Sequence, residues 1–62
     1  MWIEYNKRML NLKHATRVGF YKSIDTIEVV LITGEVINMD NLPSEEYETL
    51  ETEIRSWMEN DA

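Results

Sequence analysis

Hydrophobic and polar residues alternate along much of the first two thirds of the chain, which is the pattern of half-buried β-strands. The clearest segment is Thr-Ile-Glu-Val-Val-Leu-Ile-Thr at residues 26–33, which is rich in β-branched side chains. Shorter strands are predicted at residues 1–5, 9–12, 16–21 and 35–39, with polar or glycine-containing turns between them. The pattern therefore predicts an antiparallel β-meander of four to five strands within residues 1–39.

The period becomes helical after a connector at residues 40–43. Apolar side chains then recur at spacings of three and four, which places them on one helix face: Tyr47, Leu50, Ile54 and Trp57. We expect one amphipathic helix at residues 44–58, packed on one face of the sheet, and a frayed tail at residues 59–62. The predicted fold class is α+β, with residues 1–62 forming a single small domain.

Residues 26–33 carry apolar side chains on both sides of the predicted strand. Ile27, Val29 and Leu31 share one side, whereas Val30 and Ile32 share the other. An antiparallel sheet with one solvated face normally shows a cleaner alternation. The second side therefore requires cover that a single helix does not supply.

Two interpretations account for that second side, which gathers Tyr21, Val30, Ile32 and Val36. In the first, strong curvature folds the meander on itself and buries both sides. In the second, these four residues form the contact surface of a homodimer or of another partner protein.

The size of the chain bears on this choice, because 62 residues bury a marginal core. Domains of this size often add disulfides, a metal or a second subunit. The chain has no cysteine, and His14 is its only histidine, so neither a disulfide nor a zinc site is expected. No cofactor is expected either, and self-association is the remaining source of stability.

The charges are unevenly distributed along the sequence. Residues 1–22 carry a net charge of +4, because they contain five basic side chains and one acidic side chain, Glu4. Residues 23–62 carry a net charge of −10. The basic side chains are a candidate nucleic-acid face: Lys7, Arg8, Lys13, Arg17 and Lys22. With neighbouring aromatic residues they predict single-stranded nucleic-acid binding as an alternative function, in an architecture that resembles some single-strand-binding coactivators. The net charge of −6 opposes this alternative.

The predicted helix offers the opposite charge. A candidate acidic face comprises Glu45, Glu48, Glu51 and Glu59. Such a face predicts a second alternative, in which the chain mimics nucleic acid and inhibits a host defence protein. A solvated helix face is the simpler interpretation of the same residues.

No combination of residues indicates catalysis. His14 has no neighbouring nucleophile or carboxylate in sequence, and the adjacent pair Glu45 and Glu46 points in different directions on a helix. Gly19 and Gly34 are the only glycines, so a glycine-rich phosphate loop is absent. We therefore expect a protein that is not an enzyme.

No segment approaches the roughly 18 apolar residues that a membrane span needs. The amino-terminal residues do not follow the basic-then-apolar pattern of a signal peptide. The expectations from these two observations are a cytoplasmic location and no membrane partner.

Several short segments resemble a class of uncharacterised bacterial and phage-encoded proteins. They are the opening Met-Trp-Ile, the segment Leu10-Asn11-Leu12, the turn Thr33-Gly34-Glu35 and the helix start Ser44-Glu45-Glu46. The resemblance implies a β-meander followed by one helix, acting as a small interaction domain without enzymatic activity. The leading prediction is a homodimeric protein-interaction module of bacterial or phage origin.

Overall fold

The computed structural model describes residues 1–60 as five antiparallel strands in two sheets, followed by one helix. This confirms the predicted α+β class and the predicted meander. The elements are β1 (Trp2–Tyr5), β2 (Arg8–Asn11), β3 (Ala15–Tyr21), β4 (Thr26–Leu31), β5 (Val36–Met39) and α1 (Ser44–Asn60).

The smaller sheet is the β1–β2 hairpin, and the larger has the order β3–β4–β5. Asn6 and Lys7 connect β1 to β2, and both have positive φ, at 54° and 65°. Two consecutive residues with positive φ are typical of the type I′ turn, whose twist suits a two-residue hairpin. Asn6 adopts this conformation readily, whereas a lysine does so at a cost.

The second tight hairpin ends β4 earlier than predicted, because Ile32 and Thr33 belong to the turn. The Gly34 amide donates to the Leu31 carbonyl at 2.8 Å, and the Leu31 amide donates to the Glu35 carbonyl at 2.8 Å. Gly34 has a φ of 95°, which glycine adopts without a steric penalty. The loop is therefore a three-residue hairpin connection with glycine in its left-handed position.

Two 3-10 turns interrupt the strands, at Leu12–His14 and Lys22–Ile24. The first accounts for the predicted interruption around Lys13, whose amide donates to the Asn11 side chain at 3.1 Å. Gly19 pairs with Glu28 in regular register, without a bulge. The register of β3 against β4 instead shifts between Ala15 and Arg17, so the extra residue is the one between them.

Helix α1 begins at Ser44 as predicted, and the Tyr47 amide donates to the Pro43 carbonyl at 2.8 Å. The helix continues through Asn60, so residues 59–60 are helical where a frayed tail was expected. No glycine or proline interrupts the chain after Pro43, which allows this extension. The rest of the predicted tail, residues 61–62, lies outside the described residues.

The core lies between the β1–β2 hairpin, the larger sheet and α1. The hairpin contributes Ile3 and Leu10, and α1 contributes Tyr47 and Ile54. The larger sheet presents one side to them, which we call the covered side. Its strand residues are Val18, Phe20, Ile27, Val29, Ile37 and Met39.

Candidate functional site

The other side of the larger sheet faces away from the helix and the core, and we call it the open side. The β3–β4–β5 register aligns Arg17, Val30 and Val36 in one row across the strands, and Gly19, Glu28 and Asn38 in the next. Tyr21 lies opposite Thr26 at the far end. Alternation along each strand therefore places the apolar core residues on the covered side and this mixed set on the open side.

The predicted partner face lies on this open side, or next to it. Val30 and Val36 are directly opposite each other, and Tyr21 lies two rows away. Ile32 projects from the turn after β4 and is 73% exposed. Val36 is 50% exposed and Tyr21 is 46% exposed. Curvature of the sheet does not bury these side chains, so the first interpretation of the two-sided strand is wrong for residues 1–60.

The ring of Tyr21 lies along β3 and over Gly19. A Cβ at position 19 would be 3.0 Å from Cε2 of that ring and 3.1 Å from its hydroxyl oxygen. The absence of a side chain at Gly19 therefore lets the tyrosine lie flat on the sheet. The close approach at Gly19 is therefore made by a side chain.

Two charged strand residues, Arg17 and Glu28, face the open side. Nη2 of Arg17 lies 3.4 Å from Oε1 of Glu28. The arginine is well exposed, so the pair contributes little to stability. The pair does make the open side electrically neutral, in a chain whose net charge is −6.

The structure disperses the predicted basic face. Arg8 pairs with Glu35 at 3.0 Å on the outside of the hairpin, and Lys22 lies 3.6 Å from Glu48 of α1. Lys7 lies in the β1–β2 turn and Lys13 in the first 3-10 turn, while Arg17 is on the open side. Three of the five basic side chains thus face a carboxylate. Nucleic-acid binding stays a prediction, and of these five residues Lys13 and Arg17 line a common depression.

The predicted acidic face is also divided. Glu51 is half-buried and accepts hydrogen bonds from Arg55 at 3.0 Å. Glu45 and Glu48 remain on the exposed surface of α1, where a shallow depression joins them to Glu53. Glu59 is exposed near the other end of the helix. Mimicry of nucleic acid stays a prediction, and Glu53 replaces Glu51 among the residues that share this surface.

The titratable groups include one buried hydroxyl. The side chain of Tyr47 is 1% exposed, and its Oη has no hydrogen-bond partner among residues 1–60. Burial raises the pKa of Tyr47 above its usual value, and the carboxylate of Glu51 raises it further. His14 is exposed in the first 3-10 turn. No three histidine or carboxylate side chains within the described part cluster as metal ligands would.

The Arg8–Glu35 pair links the hairpin to the turn that precedes β5. The hydrogen bond and the positive charge of Arg8 lower the pKa of Glu35 below its usual value. The same contacts raise the pKa of Arg8. Tyr5 adds a second link between the hairpin and the end of β5, donating to Oδ1 of Asp40 at 3.3 Å. These polar contacts position the smaller sheet against the larger one.

A groove that the sequence did not predict lies between the outer edge of β3 and the last turns of α1. One part of it is a cavity of about 180 Å³, whose lining combines apolar and polar residues: Leu12, Lys13, Ala15, Thr16, Arg17, Val18, Trp57 and Met58. Sequence reasoning missed it because residues about forty positions apart meet there, and only tertiary packing joins them.

A second depression continues this groove along the strand. It shares Val18 and Met58 with the first and extends to Phe20 and Arg55. Arg55 lies over the Phe20 ring, with its guanidinium carbon 4.3 Å from the ring centroid. Together the two depressions form what we call the β3–α1 groove.

None of the helices within residues 1–60 combines the length and apolar character that crossing a membrane requires. No protein-family model matches the chain, and neither a curated protein nor a solved structure is detectably similar to it.

Proposed function

We propose that this chain is a non-enzymatic protein-interaction module that associates with a second copy of itself through the open side of its larger sheet. The observation that carries the proposal is the exposure of Tyr21 and Val36 beside Val30 on a side that the helix leaves uncovered, with exposed Ile32 in the adjoining turn. Apolar surface of this kind on a small domain marks a contact site.

Charge favours a second copy as the partner. A chain with a net charge of −6 repels its own copies over most of its surface. The open side is an exception, because Arg17 and Glu28 neutralise each other there. A two-fold axis through this side would bring Arg17 of each copy near Glu28 of the other, which makes the surface self-complementary.

The dimensions of the open side predict a weak dimer. Three strands spaced by about 4.8 Å, each up to about 20 Å long, give a surface well below the roughly 800 Å² per partner of a standard interface. We therefore expect dissociation in the micromolar range or weaker, and an equilibrium that depends strongly on concentration.

Sedimentation equilibrium from low to high micromolar concentration tests the proposal. The wild-type mass is expected to rise with concentration from 7.4 kDa towards twice that value. Ile32→Glu should hold the protein at the monomer mass, because it places a carboxylate within the proposed interface. Ile24→Glu is the matched control, since Ile24 is 64% exposed in the 3-10 turn before β4.

Two results would overturn the proposal. A wild-type protein that stays at the monomer mass throughout excludes the homodimer. A dimer that Ile24→Glu dissociates and Ile32→Glu leaves intact places the interface elsewhere on the molecule. Circular dichroism of both variants establishes that each is folded before its mass is interpreted.

A further inference from the structure

We propose that the β3–α1 groove binds an extended acidic peptide segment of another protein, which adds to the larger sheet as a fourth strand beside β3. This surface is the edge of the sheet and not its open side. The inference shares only Arg17 with the proposed homodimer interface.

Among the described residues, the outer edge of β3 is not paired with another strand. The order β3–β4–β5 pairs β3 on one edge only, and no backbone hydrogen bond from residues 1–60 reaches its outer edge. From Arg17 to Tyr21 the strand pairs with β4 without a register shift, so its outer amides and carbonyls are regularly spaced. Such an edge can accept an extended peptide through main-chain hydrogen bonds.

A cavity lies beside that edge, between β3 and α1. A volume of about 180 Å³ is smaller than the roughly 300 Å³ at which small-molecule sites begin. It is close to the roughly 150 Å³ cavity that is known to hold one benzene ring. The cavity therefore fits a single large side chain, whose apolar part would contact Leu12, Val18 and Trp57, while Lys13, Thr16 and Arg17 form the polar part of the lining.

A strand added beside β3 would point its side chains alternately to the two sides of the sheet. Residues of the peptide in register with Val18 and Phe20 would face the groove, where apolar side chains are favoured. Their neighbours would face the open side next to Arg17, whose guanidinium is largely exposed. Apolar and acidic residues in strict alternation match these two environments.

The charge of the segment that contains β3 favours an acidic peptide. Residues 13–22 include Lys13, Arg17 and Lys22 and no carboxylate, although Glu28 of β4 lies near Arg17 and Glu48 of α1 lies near Lys22. Pairing β3 with the β3 of a second copy would bring two basic edges together, so charge disfavours self-pairing here. At the other end of the groove Arg55 is held by Glu51, and Glu59 is near it. The acidic residues of the peptide would therefore bind near Lys13 and Arg17.

Fluorescence polarisation with a labelled synthetic peptide of alternating glutamate and valine tests this inference at low salt. Binding to the wild-type protein is expected, and it should weaken as salt is added. An uncharged peptide of alternating serine and valine should bind more weakly, because it lacks the carboxylates that contact Lys13 and Arg17. The acidic peptide with proline at one central valine should bind much more weakly, because proline lacks the amide that an added strand needs.

Matched charge reversals identify the site. Lys13→Glu should weaken binding about tenfold, whereas Lys7→Glu, an equal change in the β1–β2 turn, should weaken it less than about threefold. Met58→Lys should also weaken binding, because Met58 is 44% exposed and borders both depressions. In spectra of labelled protein, the amide signals of β3 should shift more than those of β5.

Binding that is unaffected by the proline substitution would exclude strand addition. Equal losses for Lys13→Glu and Lys7→Glu would show that only overall charge attracts the peptide. Either result overturns the inference, as would no binding to the folded wild-type protein at low salt. The mass of the free protein, which tests the homodimer, is a separate measurement and is not changed by these outcomes.

Discussion

The two sides of the β3–β4–β5 sheet are built by the same strands but have different roles. On the covered side, Ile27, Val29 and Met39 are buried completely beneath the hairpin and the helix. On the open side, Val36 and Tyr21 remain about half exposed, although they alternate with buried residues in sequence. Hydrophobicity alone therefore does not decide burial in this chain. The position of a single helix determines which apolar residues form the core and which remain available to a partner.

The largest expected effect comes from truncating the covered side. Ile54→Ala removes a fully buried side chain from α1, and we expect it to reduce the free energy of unfolding by about 2–5 kcal/mol. Val36→Ala on the open side should cost less than about 1 kcal/mol in the monomer. Urea denaturation monitored by tryptophan fluorescence measures both at low concentration.

Because a domain of this size has little stability to lose, Ile54→Ala could unfold entirely. Ile54→Val is the graded companion, with an expected cost of about 0.5–1.5 kcal/mol. A loss of about 2 kcal/mol or more for Val36→Ala would remove the energetic distinction between the two sides.

The β4–β5 loop determines which residues lie on which side, because a slip of one residue would exchange the two sets. Gly34→Ala should reduce stability by about 1–2 kcal/mol, since φ is 95° there and a Cβ at this position raises the conformational cost. The Cβ itself would meet no atom within 4 Å, so the cost is that of the backbone alone. Gly34→Asn should cost less, because asparagine tolerates the left-handed region. Thermal unfolding of both variants checks this order, and equal losses would contradict it.

Tyr47 is a polar exception on the covered side. Removing a buried hydroxyl that has no partner should stabilise the protein, so we expect Tyr47→Phe to raise the free energy of unfolding by about 1 kcal/mol. A loss of stability would indicate that the hydroxyl is satisfied in the folded protein. Urea denaturation at neutral pH measures the change.

The same variant has a consequence at alkaline pH. Burial raises the pKa of Tyr47 in the folded state. Below the ordinary tyrosine pKa of about 10, Tyr47 is protonated in both the folded and the unfolded chain, so its ionisation does not reduce the free energy of unfolding there. As the pH rises above that value the unfolded chain releases the proton first, and stability is lost. Tyr47→Phe should therefore lose less stability between neutral and alkaline pH than the wild type. Parallel curves for the two proteins would contradict this assignment.

The smallest expected effect concerns the open side. Gly19→Ala would bring a Cβ to 3.0 Å from the Tyr21 ring, but that ring is half exposed and can swing away. We expect a change in stability within about 0.5 kcal/mol, whereas the same clash within the core would cost about 1–3 kcal/mol. Repeating the substitution in a Tyr21→Ala background isolates the ring from the backbone effect of removing a glycine. A large loss in the first background only would show that the tyrosine is fixed in place.

Much of the fold was predictable because its signals are local. Alternation at Ile27 and Val29 predicted the covered side, and the apolar spacing of Tyr47 and Ile54 predicted the helix face. The predicted end of β4 was too late because Ile32 has strand propensity. The hydrogen bond from the Gly34 amide to the Leu31 carbonyl closes a turn that includes Ile32.

The candidate surfaces were less predictable, because each depends on tertiary contacts. The pairing of Lys22 with Glu48 breaks up both charged faces and joins residues from different elements. The β3–α1 groove requires Val18 and Trp57 to meet, which no local pattern indicates. The open side was predicted as a possibility, but the choice between burial and exposure depended on where the helix packs.

The order of elements along the chain has a consequence for synthesis. Every strand precedes α1, so a ribosome finishes β5 before it makes the helix that completes the covered side. At about 5–20 residues per second, the 18 residues from Asp40 through Trp57 take roughly 1–4 s to translate. During that interval the helix cannot yet shield the sheet, and both of its sides lack this cover. The covered side therefore cannot be completed before the last helical turns have been synthesised.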